Sequence, residues 1–139
     1  MPATDAREAL IADSQFGGGA TTWAPATWYL GISTTIPNDD GTNFTEPVGG
    51  AYARVAITNN ATNFPAAVNA SGRTTKTNGA KFTFPNPTGT WGTVTHYGFF
   101  TASTGGTVQY HNPLDTPVTI RSGNTPVEFD VGTLVMDWE

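Results

Sequence analysis

The chain contains no cysteine, which excludes disulfide frameworks, thiolate metal sites and cysteine nucleophiles together. Charge is scarce as well, at 12% of the 139 residues against a usual share of about a quarter. Lys and Arg number 6 against 11 Asp and Glu, and a formal charge of -5 argues against the basic patch that nucleic-acid binding needs. No run approaches the roughly 18 apolar residues of a membrane helix. The first residues also lack the basic flank and apolar stretch of a signal peptide. The expectation is a protein made in the cytoplasm, with neither nucleic acid nor membrane as partner.

What fills the gap is 16 Gly, 10 Pro and 25 Thr, the composition of strands and turns. Four Trp, four Tyr and eight Phe supply buriable area that a solvated, disordered chain does not carry. At 14.6 kDa the length predicts one domain. Surface scaling gives roughly 6,900 Å² exposed when folded against roughly 21,000 Å² unfolded, enough burial for a real core.

Residues 5–13 form the one helical pattern, with Asp5 as expected N-cap, Glu8 in capping-box spacing and Gly17-Gly18-Gly19 as terminator. A helix of about ten residues does not hold itself together in water, so it must dock on its own domain or on a neighbour. From Pro25 onward the period is two: Trp28, Leu30 and Ile32 alternate with Tyr29, Gly31 and Ser33, and Ala53, Val55 and Ile57 with Tyr52, Arg54 and Thr58. Further strands are expected at 80–84, 92–101, 107–111, 118–122 and 127–138. Turn chemistry separates them, as at Asn38-Asp39-Asp40-Gly41, Asn78-Gly79 and Ser122-Gly123-Asn124. In the last strand Val127, Phe129 and Val131 are odd-numbered, whereas Leu134, Met136 and Trp138 are even, which predicts a bulge or corner at Gly132-Thr133 where the strand changes sheet. The fold class expected is all-β: an antiparallel β-sandwich or jelly-roll-like domain of seven or eight strands over residues 23–139, preceded by an arm with a short helix over residues 1–22. Residues 41–50 and 59–79 lack clean periodicity and read as long loops of the kind that carry contacts.

Catalytic and metal-binding patterns are not evident. His96 and His111 sit in separate expected strands without an HxxxH pair, and read as ordinary strand residues with hydrogen-bonded rings. Asp39, Asp40, Thr42, Asn43 and Glu46 concentrate oxygen ligands, but without EF-hand spacing, so a solvated turn is expected there rather than a calcium site. Glu46, Asp115 and Glu128 could supply a glycosidase pair only if folding brought two of them together. Gly17-Gly18-Gly19 follows a helix rather than opening one and is not a phosphate loop. The expectation is no catalytic residue, no cofactor and no metal. Tyr29, Tyr52, Trp91, Tyr97 and Tyr110 fall either on a binding face opposite Leu30, Val55 and Phe100, or in a core that covers both sheet faces.

The run Ala24-Pro25-Ala26-Thr27-Trp28-Tyr29-Leu30-Gly31-Ile32-Ser33-Thr34-Thr35-Ile36-Pro37, with Glu46-Pro47 and Gly50-Ala51-Tyr52-Ala53-Arg54-Val55, resembles a family of small virion proteins of tailed bacteriophages. Phe82-Thr83-Phe84-Pro85, Thr90-Trp91-Gly92-Thr93-Val94-Thr95-His96-Tyr97-Gly98-Phe99-Phe100, Thr104-Gly105-Gly106 and Ser122-Gly123-Asn124-Thr125-Pro126 extend the resemblance through the second half. It implies a tail fibre, head fibre or head decoration protein, made in the host cytoplasm and carried on the virion. A fibre shaft needs a stacked repeat, and this chain has none that is evident, so a decoration protein on the head surface is expected. Its partners would be the major capsid protein and sibling copies, as a homotrimer or other homo-oligomer. The alternative is a tail-fibre or tail-tip module that binds a host receptor or cell-surface glycan.

Overall fold

The computed structural model describes residues 3–17 and 24–138. Among them a single helix, α1 (Asp5–Gln15), precedes nine strands: β1 (Thr27–Ser33), β2 (Val55–Thr58), β3 (Val68–Ala70), β4 (Arg73–Thr77), β5 (Phe82–Thr83), β6 (Gly92–Phe100), β7 (Tyr110–Ile120), β8 (Glu128–Phe129) and β9 (Val135–Trp138). The all-β expectation holds. The strands pair antiparallel in three sheets, ordered β2-β1-β6-β7, β3-β4-β9 and β5-β8. One core joins them, built from Leu30 and Ile32 of β1, Val94, Tyr97 and Phe99 of β6, and Phe82, Phe129 and Met136 from the smaller sheets.

Period-two patterning finds β1 and its inward face, for Leu30 and Ile32 are buried and Trp28 packs against them. Two expected strands, 107–111 and 118–122, are instead the two ends of β7. Tyr110–Pro113 pairs with His96–Phe99 and Val118–Ile120 with Gly92–Val94, so residues 114–117 lie opposite Thr95 alone. Pro113 and Pro117 have no N–H for a ladder, and the strand bows outward between them. The expected strand over 127–138 divides into β8 and β9, which belong to different sheets, with a turn at 130–133 closed by Thr133 N donating to Asp130 O (3.1 Å). The parity change at Gly132-Thr133 marks that crossing. Asn78, buried, holds it: its Nδ2 donates to the carbonyls of Ala80 and Asp130 (2.8 Å each) and its Oδ1 accepts from Leu134 N (2.9 Å).

The stretch 59–79, expected to be loop, contains the β3–β4 hairpin. Ser71 and Gly72 both take positive φ (53° and 78°), the twist a two-residue hairpin requires, while every residue of β3 is exposed. With no buried face there is no hydrophobic alternation to find. Gly18, Gly19 and the expected boundary between 22 and 23 lie outside the described residues.

Helix α1 docks on its own domain, but through its root. Ala3 bridges Tyr110, and Thr4 N donates to Gln109 O (3.0 Å). That pairing holds Thr4 extended and makes it the N-cap in place of Asp5. Arg7 therefore stands third in the helix, and the expected capping box with Glu8 does not form. Arg7 is buried with its guanidinium 5.1 Å from the Trp28 ring and 5.8 Å from that of Tyr110, and its Nε donates to Gln109 Oε1 (3.2 Å). Beyond it the helix leaves the body: Leu10 is exposed and Phe16 is 83% exposed. No described helix is long and apolar enough to cross a membrane.

Candidate functional site

Four places bring chemically capable side chains together. The first lies where the segment 43–54 folds over β1 and β6. Gly31 and Gly98 face each other in the register, and the space their missing side chains leave admits Glu46, Tyr52 and Phe44. Arg54 and Glu46 form a two-pronged ion pair, Nε to Oε1 at 2.8 Å and Nη2 to Oε2 at 2.7 Å. Arg54 Nη1 also donates to the carbonyls of Ala102 and Gly105 (2.7 and 2.8 Å), and its guanidinium lies 3.4 Å from the centre of the Phe100 ring. Tyr52 donates to Glu46 Oε1 (2.7 Å) and accepts from Ile32 N (3.2 Å); burial, with the Glu46 charge adding, pushes its phenol far above the usual range. Every strong group here answers to another. The cluster is a clamp that fastens two long connections, 34–54 and 101–109, to the sheet.

The aromatic alternatives resolve here as well. Trp91 and Tyr97 are buried, and Tyr52 and Tyr110 pack against the core, so both faces of the large sheet are covered. Trp91 Nε1 donates to Gly50 O (2.8 Å), which ties the 49–51 turn down. Four of these rings thus serve the core or its packed rim; Tyr29 alone of the five belongs to neither, and it is half-buried.

The second place joins the two histidines, which the strand pairing sets on one face: His96 opposes Pro113, two residues from His111. His96 Nδ1 shares a hydrogen bond with Thr95 Oγ1 (2.9 Å). His111 is buried, bonded to the Asn38 backbone and close to Asp39, and its Nε2 has no partner among the described residues. Burial, the larger cause, holds both imidazoles below their ordinary pKa. His111 lowers His96 further, whereas the Asn38 bond and the Asp39 charge partly restore His111.

The acidic turn is the third. Asp40 Oδ1 accepts from Thr42 N (2.9 Å) and Thr42 Oγ1 (2.6 Å), bonds that hold its carboxyl below the usual range. Glu46 serves Arg54 instead. Among the described residues no three of His, Asp and Glu converge as metal ligands.

The fourth is a groove of about 580 Å³ opened by the bowed middle of β7 and walled by Leu114, Asp115, Val127, Glu128, Asp130 and Tyr97. Folding thus brings Asp115 and Glu128 to one groove and leaves Glu46 elsewhere. Lys81 neutralises Glu128 and Asp130 at 3.2 Å each. An apolar depression of about 320 Å³ sits apart, walled by Trp28, Phe64, Phe99, Tyr110 and Met136 and edged by Lys76.

A β body that holds a helix by its first turn suits a structural part of a larger particle. Residues 2–137 match the family model of the podophage GP4 fiber I protein gp80. The chain belongs to that family. Membership in this fibre family makes it a bacteriophage virion structural protein and agrees with the resemblance carried by 24–37 and 90–100. A comparison with curated proteins gives no match. Sequence reading missed Arg7, Arg54 and Asn78, which organise the fibre protein's arm root, clamp and sheet crossing. The available signal was rarity: with 6 Lys and Arg in all, an Arg inside an alternating apolar strand points to a buried partner.

Proposed function

We propose that this fibre-family protein is a non-enzymatic subunit seated in many copies on the head surface, where it binds the major capsid protein lattice as a decoration protein. The observation that carries the reading is the arm: the β body holds α1 by its first turn and leaves Leu10 and Phe16 exposed further along. A ligand that binds the assembled shell and not its free parts stabilises the shell by mass action. Modest contacts suffice, because repetition over a lattice acts at high effective concentration. Exposed Val48 at the tip of the 34–54 connection and Ile36 at its start supply apolar contact to the shell, and sibling copies, as a trimer or other homo-oligomer, are the second partner. Glu46 and Glu128 are already committed to Arg54 and Lys81, which suits a protein without a reaction to perform.

The family's description as a fibre favours a second reading, a tail-fibre module that binds a host receptor or glycan. Sedimentation of the purified protein with empty heads, beside an adsorption assay on host cells, separates the two. Pelleting with heads supports decoration; binding to cells without heads transfers the protein to the tail. Cell-wall hydrolysis abolished by Asp115→Asn, with the thermal midpoint unchanged, would overturn the non-enzymatic reading.

A further inference from the structure

Among the described residues, the apolar depression and the exposed ring of Phe16 are two apolar surfaces that do not meet within one chain. Arg7 lies on Trp28 and Tyr110, two walls of the depression. Phe16 comes nine residues later, roughly 13 Å further along the axis at 1.5 Å per residue. Phe16 is not among the walls of the depression and is 83% exposed. A ring left in water at the end of α1, on a molecule whose described residues also wall an apolar depression of about 320 Å³, matches a reciprocal contact between copies.

Charge agrees with shape. Arg7 is buried, so the outward-facing charges of the helix are Asp5, Glu8 and Asp13. At the edge of the depression Lys76 Nζ donates to the carbonyls of Phe64 and Pro65 (3.2 and 2.5 Å) and has no carboxylate partner among the described residues.

We propose that the depression is a socket for a second copy of this chain: Phe16 of one copy enters between Trp28, Phe64 and Met136 of another, and Asp13 meets Lys76. This deepens the multi-copy reading above by naming the acceptor of the arm.

The cysteine-free chain makes the test direct. Full-length Phe16→Cys and Asn59→Cys proteins, the second altered at the socket wall, are mixed and oxidised. The expected product is the mixed disulfide dimer in excess of either like-with-like dimer. Sedimentation velocity on cysteine-free protein should show self-association weakened roughly ten- to a hundredfold by Phe16→Ser, the loss expected for one buried aromatic ring. Lys76→Glu should weaken it too, and Asp13→Lys should restore the Lys76→Glu protein. Because Phe16 is exposed, an unchanged thermal midpoint for Phe16→Ser checks that the fold is intact. The proposal is overturned if the native chain is monomeric at all concentrations, if Phe16→Ser associates as the native chain does, or if a chain with both cysteines closes on itself at high dilution. Pelleting with empty heads would survive any of these results, so the decoration reading stands or falls separately.

Discussion

The clamp between Arg54 and Glu46 predicts a large and specific loss of stability. In Arg54→Met the Glu46 carboxylate loses both prongs, and the carbonyls of Ala102 and Gly105 lose their donor. Removing one member of a buried ion pair costs about 3–5 kcal/mol. The Arg54 side chain is 4% exposed, but that of Glu46 is 24% exposed and keeps its bond from Tyr52, so water and the phenol offset part of the penalty. The expected cost is therefore at the lower end, about 3 kcal/mol. For a chain of this length the unfolding entropy is about 290 cal/mol/K, so the thermal midpoint should fall by about 10 °C. Glu46→Gln, which leaves the more deeply buried guanidinium without a counter-charge, should cost as much or more. The double variant should cost clearly less than the sum, since it abandons no lone charge. Urea unfolding of the native chain, the two single variants and the double variant provides the cycle, and hydrogen exchange should show faster opening of 101–106 in Arg54→Met. Single losses below about 1 kcal/mol, or strict additivity, would refute a buried, coupled clamp and place the pair with ordinary surface bridges.

Three further outcomes follow from the same geometry. Asn78→Ala removes the donor to two carbonyls and strands the buried Leu134 N–H, so urea midpoints should report a loss of about 3 kcal/mol; a loss under 1 kcal/mol would mean the β8–β9 crossing holds itself. Gly98→Ala sets a methyl 2.5 Å from Val108, 2.7 Å from Phe44 and 2.9 Å from the Tyr110 carbonyl, and overpacking should cost about 1–3 kcal/mol by thermal unfolding, while an unchanged midpoint would contradict the close approach. Because His96 and His111 have pKa values lowered in the folded state, the unfolded chain binds more protons below about pH 6.5. The contribution of the two groups is complete above that pH and is lost as pH falls toward the folded-state values. Denaturant unfolding at pH 7.5 and 5.5 checks this, with His96→Gln/His111→Gln expected to flatten the difference; a flat native profile contradicts it.

Strand position was readable wherever one side chain in two is driven into a core. Leu30 and Ile32 announce β1, and the shift from odd to even at Gly132-Thr133 announces the passage from β8 to β9. The pattern failed where burial does not alternate. The hairpin at 68–77 buries too little to leave a trace, and β7 looked like two strands because Pro113 and Pro117 break its ladder midway. Local pattern sets His96 and His111 on strands, but their adjacency is a matter of register between β6 and β7, which no local pattern encodes.

Composition and periodicity settled the all-β class and the short N-terminal helix, because turn chemistry and hydrophobic alternation act over a few residues and are written in neighbouring letters; the virion family was carried instead by the resemblance of whole runs such as 24–37 and 90–100. Which carbonyls a cation meets, whether the second sheet face is covered, and where the arm takes root depend on residues such as Ala102 and Gly105 meeting Arg54, 48 and 51 positions away, or Arg7 meeting Gln109, 102 positions away. Those contacts exist only after chain closure has brought distant segments together, so their energies are properties of the folded body and of no segment in it.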